Sequence, residues 1–435
     1  MKVRRAYAEL KYNGKAIRTS LKNFTTSFNY DDPAAGESDT ISLNLADPLG
    51  QWIGAWLPHK GDEVEASIVF ENREGDGKQT RKSCGKFILD DFSFSESGSG
   101  RSMTISAISA PLDDAFKGTV RTKNWEKVTI KQIAETIAGR YNLKLVFDAE
   151  DVTLAKKEQS GVADSEFLNS LCEDYGLMLK IYSKKMIIYD RAAYKKKDAL
   201  FRYDRADCLS FSWKTQLVGS YTGGEIKYSS VKKNKTYTYT EGGGKRTLKV
   251  NKRANNLEDA KRLLRSALDK ENHEVTTASF SVVGDPIPSA TQTVLLTGFG
   301  QLSGKYYINK KSDSLSGSGY TSSFEVSKIE ESDEQVARYA IDRLYEMGVI
   351  NNPAYWKSHL KDVKYLADLF INADAAIKVV GKGEYNNVLE AIDALAQRGV
   401  INNADYWSGA YKKLANLDTL LIKLANASKD EYEED

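Results

Sequence analysis

Cysteine and histidine are scarce in this chain of 435 residues, with three of each. Cys84, Cys172 and Cys208 are odd in number and far apart, which excludes a disulfide framework and the paired spacing of a zinc site and fits synthesis in a reducing cytosol. His59, His273 and His359 fall in three different stretches, so local sequence shows neither a His-x-x-x-His metal pair nor a Cys/His or Ser/His couple. A Gly-x-Ser-x-Gly elbow and a phosphate loop ending in Gly-Lys-Ser/Thr are also missing. No run approaches the roughly 20 apolar residues a membrane helix needs. Met1-Lys2-Val3-Arg4-Arg5 leads into Ala6-Tyr7-Ala8-Glu9-Leu10 rather than the apolar core of a signal peptide, so no secretion signal and no membrane partner are expected. Charge of one sign is lacking too: a formal net charge of +2 gives no electrostatic pointer to nucleic acid. These absences point away from an enzyme and from a resident metal or cofactor.

What is there is an ordinary globular composition, 41% hydrophobic and 28% charged, in a chain long enough for two to four domains. Residues 1–115 read as strands. Asn13-Gly14 is a hairpin turn signal, because a two-residue type I′ turn needs positive φ at both positions. Ile41, Leu43 and Leu45 then alternate with polar neighbours, and further strands are expected at 63–70, 87–94 and 103–108. Trp52 and Trp56, spaced i, i+4, suit one face of a helical turn and are read as core cover.

Residues 116–198 change period. Thr129 and Gln132 form a capping-box pattern ahead of Ile130, Ile133, Ala134 and Ile137. Phe167, Leu168, Leu171 and Cys172 give a second amphipathic helix stopped by Gly176, followed by a hairpin, so the stretch is a small α+β insert. Cys172 falls on the apolar stripe, where an inert buried thiol is expected. Strands return over 199–330, interrupted by a helix at 257–270. The basic clusters Lys195-Lys196-Lys197 and Lys232-Lys233-Asn234-Lys235 are read as solvated loops, and the carboxylates Asp90-Asp91 and Glu225 as surface charge.

The last hundred residues hold an internal repeat. Ala340-Ile341-Asp342, Leu344, Gly348-Val349-Ile350-Asn351-Asn352 and Tyr355-Trp356 recur 51 positions later as Ala391-Ile392-Asp393, Leu395, Gly399-Val400-Ile401-Asn402-Asn403 and Tyr406-Trp407. Each copy, about 332–374 and 384–426, reads as helix, Gly stop, and further helices opened by Asn352 or Asn403 as N-cap. Such units are too short to bury much alone, so the two copies are expected to pack together as a module over 331–435, joined through the polar link Glu330-Glu331-Ser332-Asp333. Tyr355, Trp356, Tyr406 and Trp407 are either core or the candidate contacts to a partner.

Residues 278–329 spell several short strands with their turns. Gly298, Gly300 and Gly304 resemble a dinucleotide loop, but they run into a strand, Lys305-Tyr306-Tyr307-Ile308, where a phosphate loop must open a helix. This stretch also resembles the phage late control gene D proteins, hub proteins of contractile tail baseplates. The resemblance rests on Asn256-Leu257-Glu258-Asp259-Ala260 into Lys261-Arg262-Leu263-Leu264, Thr276-Thr277-Ala278-Ser279-Phe280, Gly298-Phe299-Gly300 with Gly304-Lys305-Tyr306-Tyr307, and Ser316-Gly317-Ser318-Gly319-Tyr320-Thr321. Phe211-Ser212-Trp213-Lys214 and Tyr221-Thr222-Gly223-Gly224-Glu225 add to it, and it covers roughly residues 1–330. It implies that the β segments 1–115 and 199–330 are two antiparallel β-barrel-like hub domains flanking the α+β insert; with the all-helical module read from the repeat, the whole is an α+β multidomain chain. It also implies a homotrimer that joins the tail tube protein to a central spike protein and touches other baseplate proteins. Such a protein is made in the bacterial cytoplasm and ends in the baseplate of a virion tail or a headless bacteriocin particle. The Leu-x-x-x-Gly-Val-Ile pattern of the repeats is similar to repeats in Gram-positive surface and phage proteins, so a Gram-positive host fits. A cell-wall hydrolase or a wall-binding protein acting through the repeats is the alternative.

Overall fold

A computed structural model describes residues 3–13, 15–16, 25–54, 57–98, 100–109, 115–230, 235–254 and 256–428. The chain makes two compact units, one from Met1–Lys197, Leu209–Gln292 and Ile308–Ser327, the other from Asp198–Cys208, Thr293–Tyr307 and Lys328–Asp435.

In the first unit, alternation puts apolar side chains on one sheet face. Thr40–Ala46 buries Ile41, Leu43 and Leu45, and its partner strand Thr25–Pro33 sets Phe28 opposite Leu43 and Tyr30 opposite Ile41. The sheet runs in the order Cys208–Thr215, Thr276–Val283, Gly319–Lys328, Gly304–Ser316, Thr25–Pro33, Thr40–Ala46, Gly100–Ile108, Gln79–Ser97, Glu63–Glu71, Arg5–Tyr12 and Lys15–Ala16. Tyr12 faces Lys15 across the expected tight turn, with Asn13 at φ 46°; Gly14, most of residues 16–23 and Trp56 lie outside the described residues. Trp52 is buried, in line with its reading as core cover.

The strand Gln79–Ser97 pairs with Glu63–Glu71 over its first half and with Gly100–Ile108 over its second. Register shifts near Gly85, which has φ 106°, and at Leu89/Asp91 bend it between the two partners. The mix of β-sheet and helices agrees with the expected fold class, but the barrel-like form of the two β domains is not seen among the described residues. No closed barrel forms there, and strands of both β segments lie in one sheet. The join is made by backbone pairing of Lys310 with Pro33 through Ser316 with Ser27. Part of the second segment leaves that sheet altogether. Lys235–Gly242, Gly223–Ser230 and Thr247–Ala254 form a separate three-stranded sheet, the last two strands parallel. Helix Leu257–His273 packs on it so closely that a Cβ on Gly224 would stand 2.7 Å from Leu264.

The insert has helices α1 (Ile130–Arg140) and α2 (Asp164–Asp174) over a sheet of Leu177–Tyr182, Lys185–Asp190 and Lys144–Asp148. The Thr129/Gln132 capping box opens α1, and Gly176 follows α2 with φ 72°. Ile133, Ile137, Leu168, Leu171 and Cys172 are fully buried between these layers, and burial pushes the Cys172 thiol up to about 12, an inert state. Lys195 corrects the reading of its basic cluster as solvated: it sits part-buried on Asp269 at 2.6 Å, with Arg191 on the same carboxylate at 2.8 Å. Lys232, Lys233 and Asn234 lie outside the described residues.

A buried ionic knot fastens the insert to the sheet. Lys180, on the insert strand Leu177–Tyr182, donates to the carboxylate of Asp32 and to Pro33 O (2.7 Å), and its ammonium stands 2.9 Å from Asp39. Tyr30 donates to the other Asp39 oxygen (2.7 Å) and Ala290 N to the other Asp32 oxygen (2.9 Å). Burial pushes the Asp39 carboxyl up to about 6, although Lys180 pulls it down. Native Asp39 therefore holds a proton that the unfolded chain has released between about pH 4 and 6, so this group makes stability fall as pH rises through that window. In urea unfolding at a series of pH values, Asp39→Asn should remove that fall, seen as the difference between the two proteins. Lys180→Met, which strands two buried carboxylates, should lower stability by about 3–5 kcal/mol at pH 7.

Candidate functional site: the helical module and the turn it covers

In the second unit, Phe201–Asp204 runs parallel to Thr293–Thr297, which pairs antiparallel with the start of Gly304–Ser316. Between these strands, Gly298 (φ 81°) and Gly300 (φ 58°) make a tight turn that runs into a strand, as the rejection of a nucleotide loop required. Six helices follow: α3 (Asp333–Glu346), α4 (Pro353–Ser358), α5 (Leu366–Ala376), α6 (Val388–Gln397), α7 (Ala404–Ala410) and α8 (Leu417–Ala427). Ser332 caps α3, while Asn352 and Asn403 cap α4 and α7 through their side-chain oxygens. Gly348 and Gly399, both at positive φ, end the leading helix of each copy, a backbone state that glycine adopts without strain.

The two copies share one core, in which Ile341, Leu344, Ile392 and Leu395 are fully buried. Of the four candidate contact residues, Trp356 and Trp407 belong to this core, at 4% and 3% exposure, and Tyr355 and Tyr406 are half-buried. The tyrosines bind the copies reciprocally. Tyr355 donates to Ala415 O (3.0 Å) and Tyr406 to Lys364 O (2.9 Å), and each bond maps onto the other by the 51-residue offset. The copies thus meet as a dimer of equal partners would, the same patch on both sides.

The equality ends at one arginine. Arg343 is buried and spreads its guanidinium over Asp374 O (3.0 Å), Asp374 Oδ1 (3.2 Å), Ile377 O (3.1 Å) and both oxygens of Asp204. Asp374 in turn accepts from Gly298 N (2.8 Å) and Ser303 Oγ (3.2 Å). The first copy is thereby locked onto the glycine turn, with Gly300 so near α5 that a Cβ there would meet Ala375 at 2.7 Å. Burial raises the Asp374 carboxyl despite Arg343, whereas at Asp204 the bonds from Arg343, Ala206 and Thr297 outweigh burial and hold the carboxyl low. In the second copy the matching positions are Ala394 and Ala425. There Arg398, four residues further along, reaches the same helix end, donating to Ala425 O (2.8 Å) and Ser428 Oγ (3.3 Å). The polar link is also pinned. Glu331 accepts from Lys305 N (2.9 Å) and Tyr339 (2.8 Å), so a carboxylate supplies the anchor that apolar residues do not.

No catalytic couple assembles from the residues considered in the sequence. His59 is exposed beside Asp62, His273 pairs with Asn309 (2.8 Å), with burial pushing its imidazole down to about 3, and His359 contacts Tyr355 O (2.7 Å). Asp90 and Asp91 are exposed, and Glu225 stands 3.6 Å from Lys249. Among the described residues no group of three or more His, Cys, Asp or Glu side chains is placed to hold a metal, and no helix is long and apolar enough to cross a membrane.

No protein-family model and no curated protein matches the chain. Solved structures do. The 43 kDa tail protein of prophage MuSo2 from Shewanella oneidensis superposes with a TM-score of 0.56 at 13% identity, over 74% of this chain and 98% of that one. The tail protein from Neisseria meningitidis MC58 gives 0.56 at 12% identity, over 74% and 97%. This chain has a phage tail protein fold. The likeness agrees with the resemblance to the late control gene D proteins that the sequence carries, and it spans nearly the whole of both tail proteins.

The lock on the turn is testable by the two arginines. Arg343→Ala strands a buried carboxylate and should cost about 3–5 kcal/mol in chemical denaturation. Arg398→Ala, at a half-buried side chain that donates to Ala425 O, Ser428 Oγ and the Tyr385 hydroxyl, should cost about 1.5–3 kcal/mol; equal losses would refute the special place of Arg343.

Proposed function

We propose that the chain is a structural baseplate hub of a contractile phage tail or tail-like particle, a trimer that joins the tail tube to the central spike. The observation that carries this reading is the fold likeness to two tail proteins over almost their full length. A threefold ring can meet a sixfold tube only if each subunit offers two similar faces, and the β segments 1–115 and 199–330 are the candidates. Their union in one sheet through Lys310–Ser316 and Thr25–Pro33 supports a first unit that ties the two β segments together under load. The partners in this reading are two further copies, the tube protein, the spike protein and other baseplate proteins, with no membrane and no sequence-specific nucleic acid. The role is assembly, not catalysis. Tyr355 and Tyr406 are the half-buried members of the candidate contact set, and the repeats face another baseplate or spike protein.

Truncation at residue 331 is a poor test of the module, because it strips Arg343 and Asp374 from Asp204, Gly298 and Ser303. A direct test is to express the full chain with tube and spike proteins encoded beside it and measure mass by light scattering. A complex holding three copies is expected; a strict monomer, even with both partners present, would overturn the reading.

A further inference from the structure

The 51-residue offset creates two equivalent grooves between the copies, and the chain has treated them differently. The first is open, about 360 Å³, with Ile350, Trp356 and Leu420 at its floor and Asn352, Asn416, Thr419 and Lys423 around it. At the second, the floor residues recur as Ile401, Trp407 and Leu369, but Asn416, Thr419 and Lys423 are replaced by Tyr365, Asp368 and Asn372. Tyr365 lies edge-on to Tyr406, with centroids 5.3 Å apart, and Asn372 donates to Val400 O (3.1 Å). The open groove carries Lys423 and Asn416, whereas at the matching place the Tyr365 ring stands against Tyr406.

Helix capping accounts for Asn352, which caps α4, but not for Asn416. Asn416 stands at the N-cap of α8 in the left-handed region (φ 61°) but makes no side-chain cap bond. The left-handed backbone does not demand asparagine, because Tyr365 holds the same conformation (φ 65°) in the other copy. Asn352 is also left-handed (φ 54°), whereas its counterpart Asn403 caps the same helix from an ordinary φ of −145°. Two asparagines with left-handed backbones thus face one cavity. Among the described residues, no carboxylate lies within ion-pair distance of Lys423.

We propose that this groove binds a small ligand bearing a carboxylate. Lys423 takes the charge, the amide groups of Asn352 and Asn416 and the Thr419 hydroxyl take its polar edges, and Trp356 with Leu420 supplies an apolar floor. The volume lies within the range of small-molecule sites, and an apolar floor with a few convergent polar groups is their usual composition. A peptide carboxyl terminus and an acidic sugar share this chemistry. The proposal does not depend on the hub reading and stands or falls separately from it.

The test uses the full chain and ligand-detected NMR with four probes: N-acetyl-dialanine and its carboxyl amide, glucuronate and glucose. At least one acid should bind about tenfold more tightly than its neutral partner, and which acid does so identifies the source. Lys423→Asn and Asn416→Tyr install residues that the chain already uses at the matching positions, so both variants should keep the wild-type thermal transition. Lys423→Asn should abolish the preference for acid over neutral probe, and Asn416→Tyr should abolish binding. Absence of binding by every probe up to about 10 mM, equal binding of acid and neutral forms, or binding undisturbed by Asn416→Tyr would each overturn the proposal.

Discussion

The backbone pairing of Thr25–Pro33 with Lys310–Ser316 is the constraint on which most of the first unit depends. It brings together segments that are far apart in the chain, and a shift by one residue would turn Phe28 and Leu315 out of the core. It also sets the charges. On one side of the pairing Asp32 reaches Lys180 of the insert; on the other, Asp313 accepts from Lys82 (3.0 Å) and lies 3.2 Å from the wholly buried Lys311. Hydrogen bonds between two strands thus decide where two buried ionic knots form, and those knots hold the surrounding layers in one arrangement.

Local elements were legible in the sequence because their causes are local. The alternation around Ile41, the Thr129/Gln132 box and the Gly176 stop each act within a few residues, and the structure has a strand, a capped helix and a helix end at those places. The joining of the two β segments was not legible, since nothing in either strand names its partner. The same holds for Lys180, Arg343 and Lys311. A lysine or arginine in a mixed sequence reads as surface, and only the fold shows that a carboxylate from a distant segment waits for it. The Tyr-Trp pairs were visible as a repeat, but that the tryptophans would fill the core while the tyrosines bridged the copies depended on packing that the pattern alone does not specify.

The helical module illustrates how a duplicated unit divides its work. The shared positions, from the glycine stops to the reciprocal tyrosine bonds, keep the two halves mutually complementary. Some positions that differ act away from that shared interface: Arg343 and Asp374 fix one half to the glycine turn, while Ala394 and Ala425 leave the other without that lock. Symmetry maintains the pairing, and its local breaking makes room for function.

The distance along the chain between the paired strands Thr25–Pro33 and Lys310–Ser316 also has a meaning in time. The first of them emerges from the ribosome early and finds its near neighbour Thr40–Ala46, but its other edge has no partner until about 280 more residues have been made, some tens of seconds at the usual 5–20 residues per second. Through that interval the nascent chain carries an unpaired strand edge, the feature most prone to join a wrong chain. Copies translated side by side on one message would meet at those edges. The pairing that organises the finished sheet is thus also one whose first strand waits through most of synthesis with an edge open.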